Sequence, residues 1–243
     1  GFSWRHLPLG TIRRFPVQVS QFMQHKVRVW DLPTRLFHWF LAATVVALVI
    51  TAKVGGNAMQ WHLRLGHVML ALLLFRLVWG VVGGHWSRFA SFVHSPTRLW
   101  RHLRGQASEE TAGHSPLGAL SVFALLAVLL AQVGSGLLSD DEISFSGPLV
   151  RFVSGEWVGL ATWFHSDLGQ YLLIGLVALH LLAIGYYVLV RRRTLVRPML
   201  HGDKLLTRQA PASRDDVAAR TGAAVVAVLS AALAWWISGL GAG

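Results

Sequence analysis

The sequence predicts an all-α protein that is integral to a membrane. Of its 243 residues, 53% are hydrophobic and only 14% are charged, whereas a soluble globular domain carries about 25% charged residues. The hydrophobic residues are concentrated in five blocks, and each approaches the roughly 20 residues that a helix needs to cross a bilayer. A segment in lipid must satisfy its own backbone hydrogen bonds, so these blocks are predicted to be helices.

The five blocks have recognisable ends. The first follows a typical helix start at 31–34, the second ends at Gly83 and Gly84, and the fourth stops at the basic run 191–193. The fourth block is longer than a bilayer requires, so its first turns are expected to project beyond the hydrocarbon. The approximate predicted bounds are 36–52, 61–82, 116–138, 160–190 and 222–240.

The net charge of +11 is distributed as the positive-inside rule requires. Of the 22 Lys and Arg residues, 18 lie in the N-terminal segment, in the loop after the second block, or between the fourth and fifth blocks. The opposite side holds only Lys53, Arg64 and Arg151. The N-terminus is therefore predicted to be cytoplasmic and the C-terminus external. No soluble basic domain remains outside the spans, so the expected surroundings are membrane lipid and no nucleic-acid partner is expected.

Four of the five histidines on the predicted spans lie at two depths; the fifth is His67. A histidine in hydrocarbon is costly and by default indicates a functional site. The directions of the spans put His62 and His165 near the external face and His38 near the cytoplasmic face. His180 follows His165 by 15 residues, about 22 Å deeper and about 60° from the same direction, which returns it to the level of His38. The pattern predicts two bis-histidine haems, one bound by His62 and His165 and one by His38 and His180.

Other interpretations of these histidines remain open. They could be hydrogen-bonding residues of the bundle or of the headgroup region, or a proton relay, although no Asp or Glu lies mid-span to support a relay. Zinc is disfavoured because each level offers only two obvious ligands. The chain has no cysteine, which excludes c-type haem attachment and thiolate-held clusters. His67 is an alternative to His62, about 140° further around the helix. The remaining histidines are predicted to be solvated loop residues: His6, His25, His85, His94, His102, His114 and His201.

Two glycines and two arginines are further candidate cofactor-binding residues. Gly66 and Gly169 each follow a histidine by four residues, which places a gap for a flat macrocycle under His62 and His165, although small residues also serve helix packing. Arg76 lies inside the second span, where it either snorkels to the interface or pairs with a propionate of the inner haem. Arg35 is a second candidate for a propionate, with an ordinary surface position as the alternative.

Four stretches within roughly residues 27–204 form a combined motif: VRVWDLPTRLFHW, WHLRLGH with LFRLVWGVVGGHWSRFASF, HSPLGALSVFALL with GLLSDDEISFSGPL, and HSDLG with ALHLLAIGYYVLVRRRTLVRPMLHGDK. The motif resembles that of the bacterial cytochrome b561 family, which includes the b-type cytochrome subunit of nickel–iron hydrogenases. The resemblance implies a four-helix bundle core that holds two b haems on His38, His62, His165 and His180, with the fifth C-terminal transmembrane helix outside the core. The family pattern commonly places the last two of these histidines 14 residues apart, one fewer than in this chain.

Together, these observations predict four parts and one function. The parts are an N-terminal cytoplasmic segment (1–33), a dihaem transmembrane four-helix domain (34–204), a cytoplasmic linker (205–220) and a C-terminal transmembrane helix (221–243). The expected protein is a multi-pass cytochrome of the bacterial inner membrane that passes electrons between the quinone pool and a periplasmic c-type cytochrome or another redox subunit. The acidic loop 140–142 is a candidate contact for that partner. The alternatives are a non-redox anchor or scaffold subunit and a proton-coupled transporter.

Overall fold

A computed structural model describes residues 24–104, 106 and 111–241. Most of the predicted N-terminal segment, residues 1–23, therefore lies outside the described residues. The described chain is mostly helical, and five of its helices are long and apolar enough to cross a membrane, as predicted. In chain order the structure has β1 (His25–Arg28), α1 (Leu32–Val54), α2 (Ala58–Val82), α3 (Pro96–Leu103), α4 (Pro116–Leu137), α5 (Gly155–Val190), α6 (Val196–His201), β2 (Asp203–Leu206) and α7 (Val217–Gly239). Short 3₁₀ turns occupy Phe89–Ser91 and Val150–Phe152.

Side-chain caps explain why several helices begin before the hydrophobic runs do. The carboxylate of Asp31 accepts a hydrogen bond from the Thr34 amide at 2.8 Å at the start of α1. Asp216 accepts one from the Ala219 amide at 2.8 Å, so α7 begins inside the segment assigned to the linker. Such caps satisfy amide groups that the first helical turn leaves unpaired.

Helix α5 is continuous over 36 residues, about 54 Å at 1.5 Å per residue, and is therefore longer than the hydrocarbon core. This length agrees with the expectation that the first turns of α5 project beyond the hydrocarbon core. Two π-helical turns interrupt its regular geometry, at Phe164–Gly169 and at Tyr186–Val190. The first of these turns contains His165, so it bears directly on the candidate site.

Four helices share one apolar centre, and the fifth packs outside it. Buried side chains of α2, α4 and α5 meet there, and residues of α1 pack against them; the buried set is Met69, Leu73, Leu129 and Leu173. Helix α7 instead packs through Ala223 against Phe37 of α1 and Phe75 of α2. Many large apolar side chains on the outer faces are exposed, among them Phe40, Val81, Leu182 and Trp235, which suits surfaces that contact lipid.

A small two-stranded ribbon, which the sequence did not predict, closes one end of the bundle. Strand β1 pairs antiparallel with β2, with Arg28 opposite Asp203. Arg28 forms ion pairs with Asp203 and Asp215, and the Ser213 hydroxyl donates to the Val29 carbonyl at 2.7 Å. The segment predicted to be a linker is thus packed against residues 28–29, at the end of the predicted N-terminal segment.

Candidate metal centres

The side chains of His62 on α2 and His165 on α5 face each other. Their ring centres are 6.1 Å apart and their planes meet at 84°. An imidazole nitrogen binds a metal at about 2 Å and the ring centre lies about 1 Å further, so two rings on opposite sides of one metal have centres about 6 Å apart. The spacing therefore fits a single iron bound between the two histidines.

The ring nitrogens of this pair are oriented by backbone carbonyl groups. Nδ1 of His62 lies 3.1 Å from the Leu48 carbonyl oxygen, and Nδ1 of His165 lies 2.8 Å from the Gln132 carbonyl oxygen. Each Nδ1–H donates to its carbonyl, so Nε2 keeps the lone pair that a metal would bind. Histidines that bind metals typically donate their other ring N–H in this way.

The same geometry favours His62 over His67 as the α2 partner of His165. The α2 ring that lies against His165 is that of His62, and a hydroxyl of α1, that of Thr51, also lies 3.3 Å from its Nδ1. His67 lies about 140° further around α2, a direction that does not lead to the same partner.

The two glycines expected to leave a gap for a macrocycle differ in their surroundings. A Cβ added at Gly66 would meet nothing within 4 Å, so the space beside this glycine is open. At Gly169 an added Cβ would lie 2.0 Å from Oε1 of Gln132 and 2.7 Å from the Phe164 ring. The space beside Gly169 thus holds the Gln132 amide, and a role of Gly169 beside a macrocycle stays a prediction.

The second pair lies toward the other end of the bundle. His38 on α1 and His180 on α5 are both half-buried and lie within electrostatic range of each other. Nδ1 of His180 lies 3.4 Å from the Ser121 hydroxyl of α4. Nδ1 of His38 is buried and has no hydrogen-bond partner among the described residues. This pair thus offers the same two side-chain types as the first, but neither ring has the backbone carbonyl acceptor found at His62 and His165.

Arg76 is buried inside the bundle and does not snorkel to the interface. Arg76 is only 5% exposed. Its guanidinium lies 4.4 Å from the ring centre of Phe89 and 6.0 Å from that of Phe37. Within the described part of the chain, its Nη1 has no acceptor. A buried N–H donor without an acceptor is costly, so the Nη1 side of this guanidinium fits an anionic group such as a haem propionate.

Arg35 is held partly by the backbone. Its Nη1 donates to the Leu200 carbonyl at 2.6 Å, whereas its Nε is buried and unpartnered among the described residues. Arg35 is therefore anchored to α6 rather than free at the surface, and one of its donors remains available.

His114, which the sequence predicts to be a solvated loop residue, is instead half-buried among aromatic side chains. Its ring is packed between Trp30 and Phe92, at centre distances of 4.7 and 4.5 Å, and its Nδ1 is buried without a partner among the described atoms. Burial, aided by the positive charge of Arg76, lowers the pKa of His114 to about 3. The ring is therefore neutral at physiological pH. The sequence feature that could have indicated an ordered position for His114 is that it directly precedes Ser115 and Pro116, where α4 begins.

Asp31 joins the two helices that carry His38 and Arg76. It is fully buried, and besides capping α1 it accepts hydrogen bonds from Ser87 Oγ at 2.6 Å, the Gly84 amide at 3.2 Å and Trp79 Nε1 at 3.3 Å. These donors belong to the end of α2 and the loop that follows. The sequence predicted only the local cap, because the other contacts lie about 50 residues away.

Each centre offers a metal two protein ligands. Among the described residues, no group of three or more His, Cys, Asp or Glu side chains is arranged to hold a metal ion. Two opposed imidazoles suit a haem iron, whose other four ligands come from the porphyrin.

The comparisons with known proteins agree with this chemistry. The sequence profile of the family described as prokaryotic cytochrome b561 matches residues 29–202. The chain is 27% identical over 223 residues to a protein named "Probable Ni/Fe-hydrogenase B-type cytochrome subunit" of Azotobacter chroococcum mcd 1, covering 77% of this chain and 92% of that protein. It matches the protein of the same name from Azotobacter vinelandii equally well, and that of Bradyrhizobium diazoefficiens at 25% identity over 73% of this chain and 85% of the relative. No solved structure matches.

Proposed function

The chain belongs to the prokaryotic cytochrome b561 family, and on that basis we propose that it is a dihaem b-type cytochrome that carries electrons across the bacterial inner membrane. Membership of the family implies membrane electron transfer and haem b. The number of haems, their ligands, the orientation of the chain and the identity of its partners are the content of the proposal.

The pair formed by His62 and His165 carries the proposal. Their separation of 6.1 Å and the carbonyl acceptors at both Nδ1 atoms support one haem near the external face. His38 and His180 are proposed to hold the second haem, and the unpartnered donor of Arg76 supports a propionate beside it. A bound haem iron exchanges one electron between its ferric and ferrous states.

The protein side chains suit electron transfer rather than oxygen chemistry. His62 with His165, and His38 with His180, would each give a haem iron two protein ligands, and an iron held in this way would suit electron transfer rather than the binding of a substrate. The helices hold the rings in place through the Leu48 and Gln132 carbonyl groups. Burial and the charges near each centre would set the reduction potential of a bound haem.

Orientation and partners follow from charge. The concentration of Lys and Arg at the end that carries β1, β2 and α6 supports a cytoplasmic location for that end. On the opposite side, the loop 140–142 is acidic, and backbone amides, first that of Phe145, keep the pKa of Asp141 below its usual range, so the residue is charged. We propose that this loop contacts a periplasmic redox partner, a c-type cytochrome or a hydrogenase-like subunit of the kind that the relatives' names indicate.

Quinone is the proposed partner on the lipid side. A cavity of about 530 Å³ opens between the end of α2 and the start of α7. Its wall combines the apolar Trp79 and Val82 with the cationic Arg88 and Arg214. Such an amphipathic cavity at a membrane interface is a candidate for a quinone head group.

Absorbance and haem content test the proposal. Purified protein is expected to show a reduced b-type α band and two non-covalent haems per chain. Loss of one haem on changing either His62 or His165, with the other haem retained, is the expected result for the external pair. Protein that binds no haem would favour the non-redox scaffold instead and would overturn the proposal.

A further inference from the structure

A hydrogen-bonded bridge joins α4 to the π-helical turn that contains His165. The side-chain amide of Gln132 donates from Nε2 to the backbone carbonyl of His165 at 2.8 Å, and the His165 ring donates from Nδ1 to the backbone carbonyl of Gln132 at 2.8 Å. The two residues therefore hold each other through both backbone and side chain. A π-helical turn is an irregular and uncommon element that is often found at functional sites, and here an amide from a neighbouring helix binds one of its carbonyl groups.

Two glycines make this bridge sterically feasible. The ring of His165 occupies the space beside Gly136 of α4, where an added Cβ would lie 2.7 Å from the ring. The Oε1 atom of Gln132 occupies the space beside Gly169 of α5, where an added Cβ would lie 2.0 Å away. Each side chain of the bridge thus fits against a glycine of the opposite helix.

Burial of the Gln132 amide oxygen is unfavourable, and the hydrogen bond donated by the Nε2 of the same side chain offsets this cost. Its Oε1 is buried and has no partner among the described residues. An unpaired amide oxygen in an apolar setting costs about 1–3 kcal/mol. The hydrogen bond from Nε2 to His165 is the feature of this side chain that favours keeping an amide at this position.

We propose that Gln132 is a positioning residue for His165, which sets the angle of the imidazole and the strength of its Nδ1–H hydrogen bond. The inference rests on the proposed function, since it concerns the haem held by His62 and His165. A strong hydrogen bond at Nδ1 makes an imidazole a better donor to iron and stabilises the ferric state. Loss of the Gln132 amide frees the π-helical turn, weakens that hydrogen bond and thereby raises the reduction potential of this haem.

The test is redox titration and EPR spectroscopy of Gln132→Met in the full-length protein. Met has nearly the length of Gln and no donor. We expect an upward shift in the potential of one haem, up to a tenfold change in the redox equilibrium, which is about 59 mV for one electron. The g-values of the same low-spin ferric haem should change as well, because they depend on the angle between the imidazole planes, 84° in this structure. The haem of His38 and His180 should be unchanged and serves as the internal reference.

Gln170→Met is the matched control. Gln170 also donates to the π-helical turn, at the Ser166 carbonyl, but it belongs to α5 itself and does not bridge to α4. Its replacement should leave the potential and g-values of both haems as in the wild type. An equal shift in both variants, or an unshifted haem in Gln132→Met, overturns the inference while leaving the proposed function intact. Absence of haem from the wild-type protein would overturn both.

A second variant, Gly169→Ala, tests the same inference if Gln132→Met fails to fold. In Gly169→Ala the new methyl group would displace the Gln132 amide, so it should shift the same haem in the same direction. In a Gln132→Ala background the effect of Gly169→Ala should shrink, because the residual contact is then with Phe164 alone. Equal effects of Gly169→Ala in both backgrounds would contradict the positioning role.

Discussion

The guanidinium of Arg76 lies 4.4 Å from the ring centre of Phe89, inside the helix bundle rather than at its surface. A cation can be held in this position by the face of an aromatic ring, but a ring does not replace an acceptor for Nη1. The second ring near this guanidinium is that of Phe37, the residue directly before His38. Arg76 thus lies beside the proposed inner haem, and its Nη1 donor has no acceptor among the described residues.

Replacing Arg76 by Gln is therefore expected to lower the reduction potential of the inner haem. A nearby positive charge disfavours the ferric state, and its removal changes the redox free energy by an amount on the order of 1 kcal/mol at the effective dielectric constant of protein interiors. The measurement is a redox titration that resolves the two haems. Arg101→Gln, which removes an exposed arginine of α3, is the matched control and should change neither potential. A higher inner potential in Arg76→Gln would contradict the prediction.

The identity of the α2 ligand is tested by a pair of alanine variants. His62→Ala should retain one haem of two, because the ring that faces His165 is lost, and His67→Ala should retain both. Haem content per chain, measured by the pyridine haemochrome, distinguishes these outcomes. If His67→Ala loses a haem while His62→Ala keeps both, the ligand assignment on α2 is wrong.

The membrane-spanning helices were predictable because each one is a long hydrophobic run that ends in charged or glycine residues. The depth pairing of the four histidines followed from helix rise and direction, and the rings of His62 and His165 do lie together. The observed helix ends differ from the predicted ones by a few residues, because caps such as Asp216 extend a helix beyond its apolar stretch. That extension depends on local hydrogen bonds, which hydropathy does not detect.

Other features depend on contacts that are distant in sequence. Strands β1 and β2 are four residues each and are separated by almost the whole membrane domain, so neither carries a recognisable strand pattern. The burial of Arg76 requires Phe89 to fold back over it. The π-helical turn around His165 has no local signature, although the extra residue between His165 and His180 is the kind of insertion that such a turn accommodates.

Asp31 is expected to be important for stability rather than for redox chemistry. Asp31→Ala removes the cap of α1 and leaves the donors of Ser87, Gly84 and Trp79 without their buried acceptor. Together these losses should lower the free energy of unfolding by about 3 kcal/mol. Thermal denaturation in mild detergent, followed by the Soret band, measures the change. Asp216→Ala removes an exposed cap and an exposed ion pair with Arg214 and should cost about 1 kcal/mol; equal losses in the two variants would argue against the Asp31 network.

The ribbon of β1 and β2 should loosen at acidic pH because of Asp203 and Asp215. Burial tends to raise the pKa of Asp203, but its hydrogen bond from Arg28 prevails, and the pKa lies below the ordinary 3.8. The pKa of Asp215 is lowered in the same way, against burial, by Arg220 first. A carboxylate whose pKa is lower in the folded state contributes stability above its unfolded pKa and loses it as the pH falls through the folded value. The ion pairs are therefore intact from neutral pH to about pH 4 and weaken below it.

Limited proteolysis between pH 3 and pH 7, with an acid-tolerant protease, follows this loosening at the segment after β2. The wild-type protein should become more susceptible there only below about pH 4. Asp203→Asn should be more susceptible than the wild type already at pH 7, with a flatter pH dependence, because its partner Arg28 keeps only the Asp215 pair. Asp167→Asn, which changes an exposed carboxylate of α5, is the control and should behave as the wild type does. Cleavage that rises in parallel in all three proteins would show that acid acts elsewhere than on the ribbon.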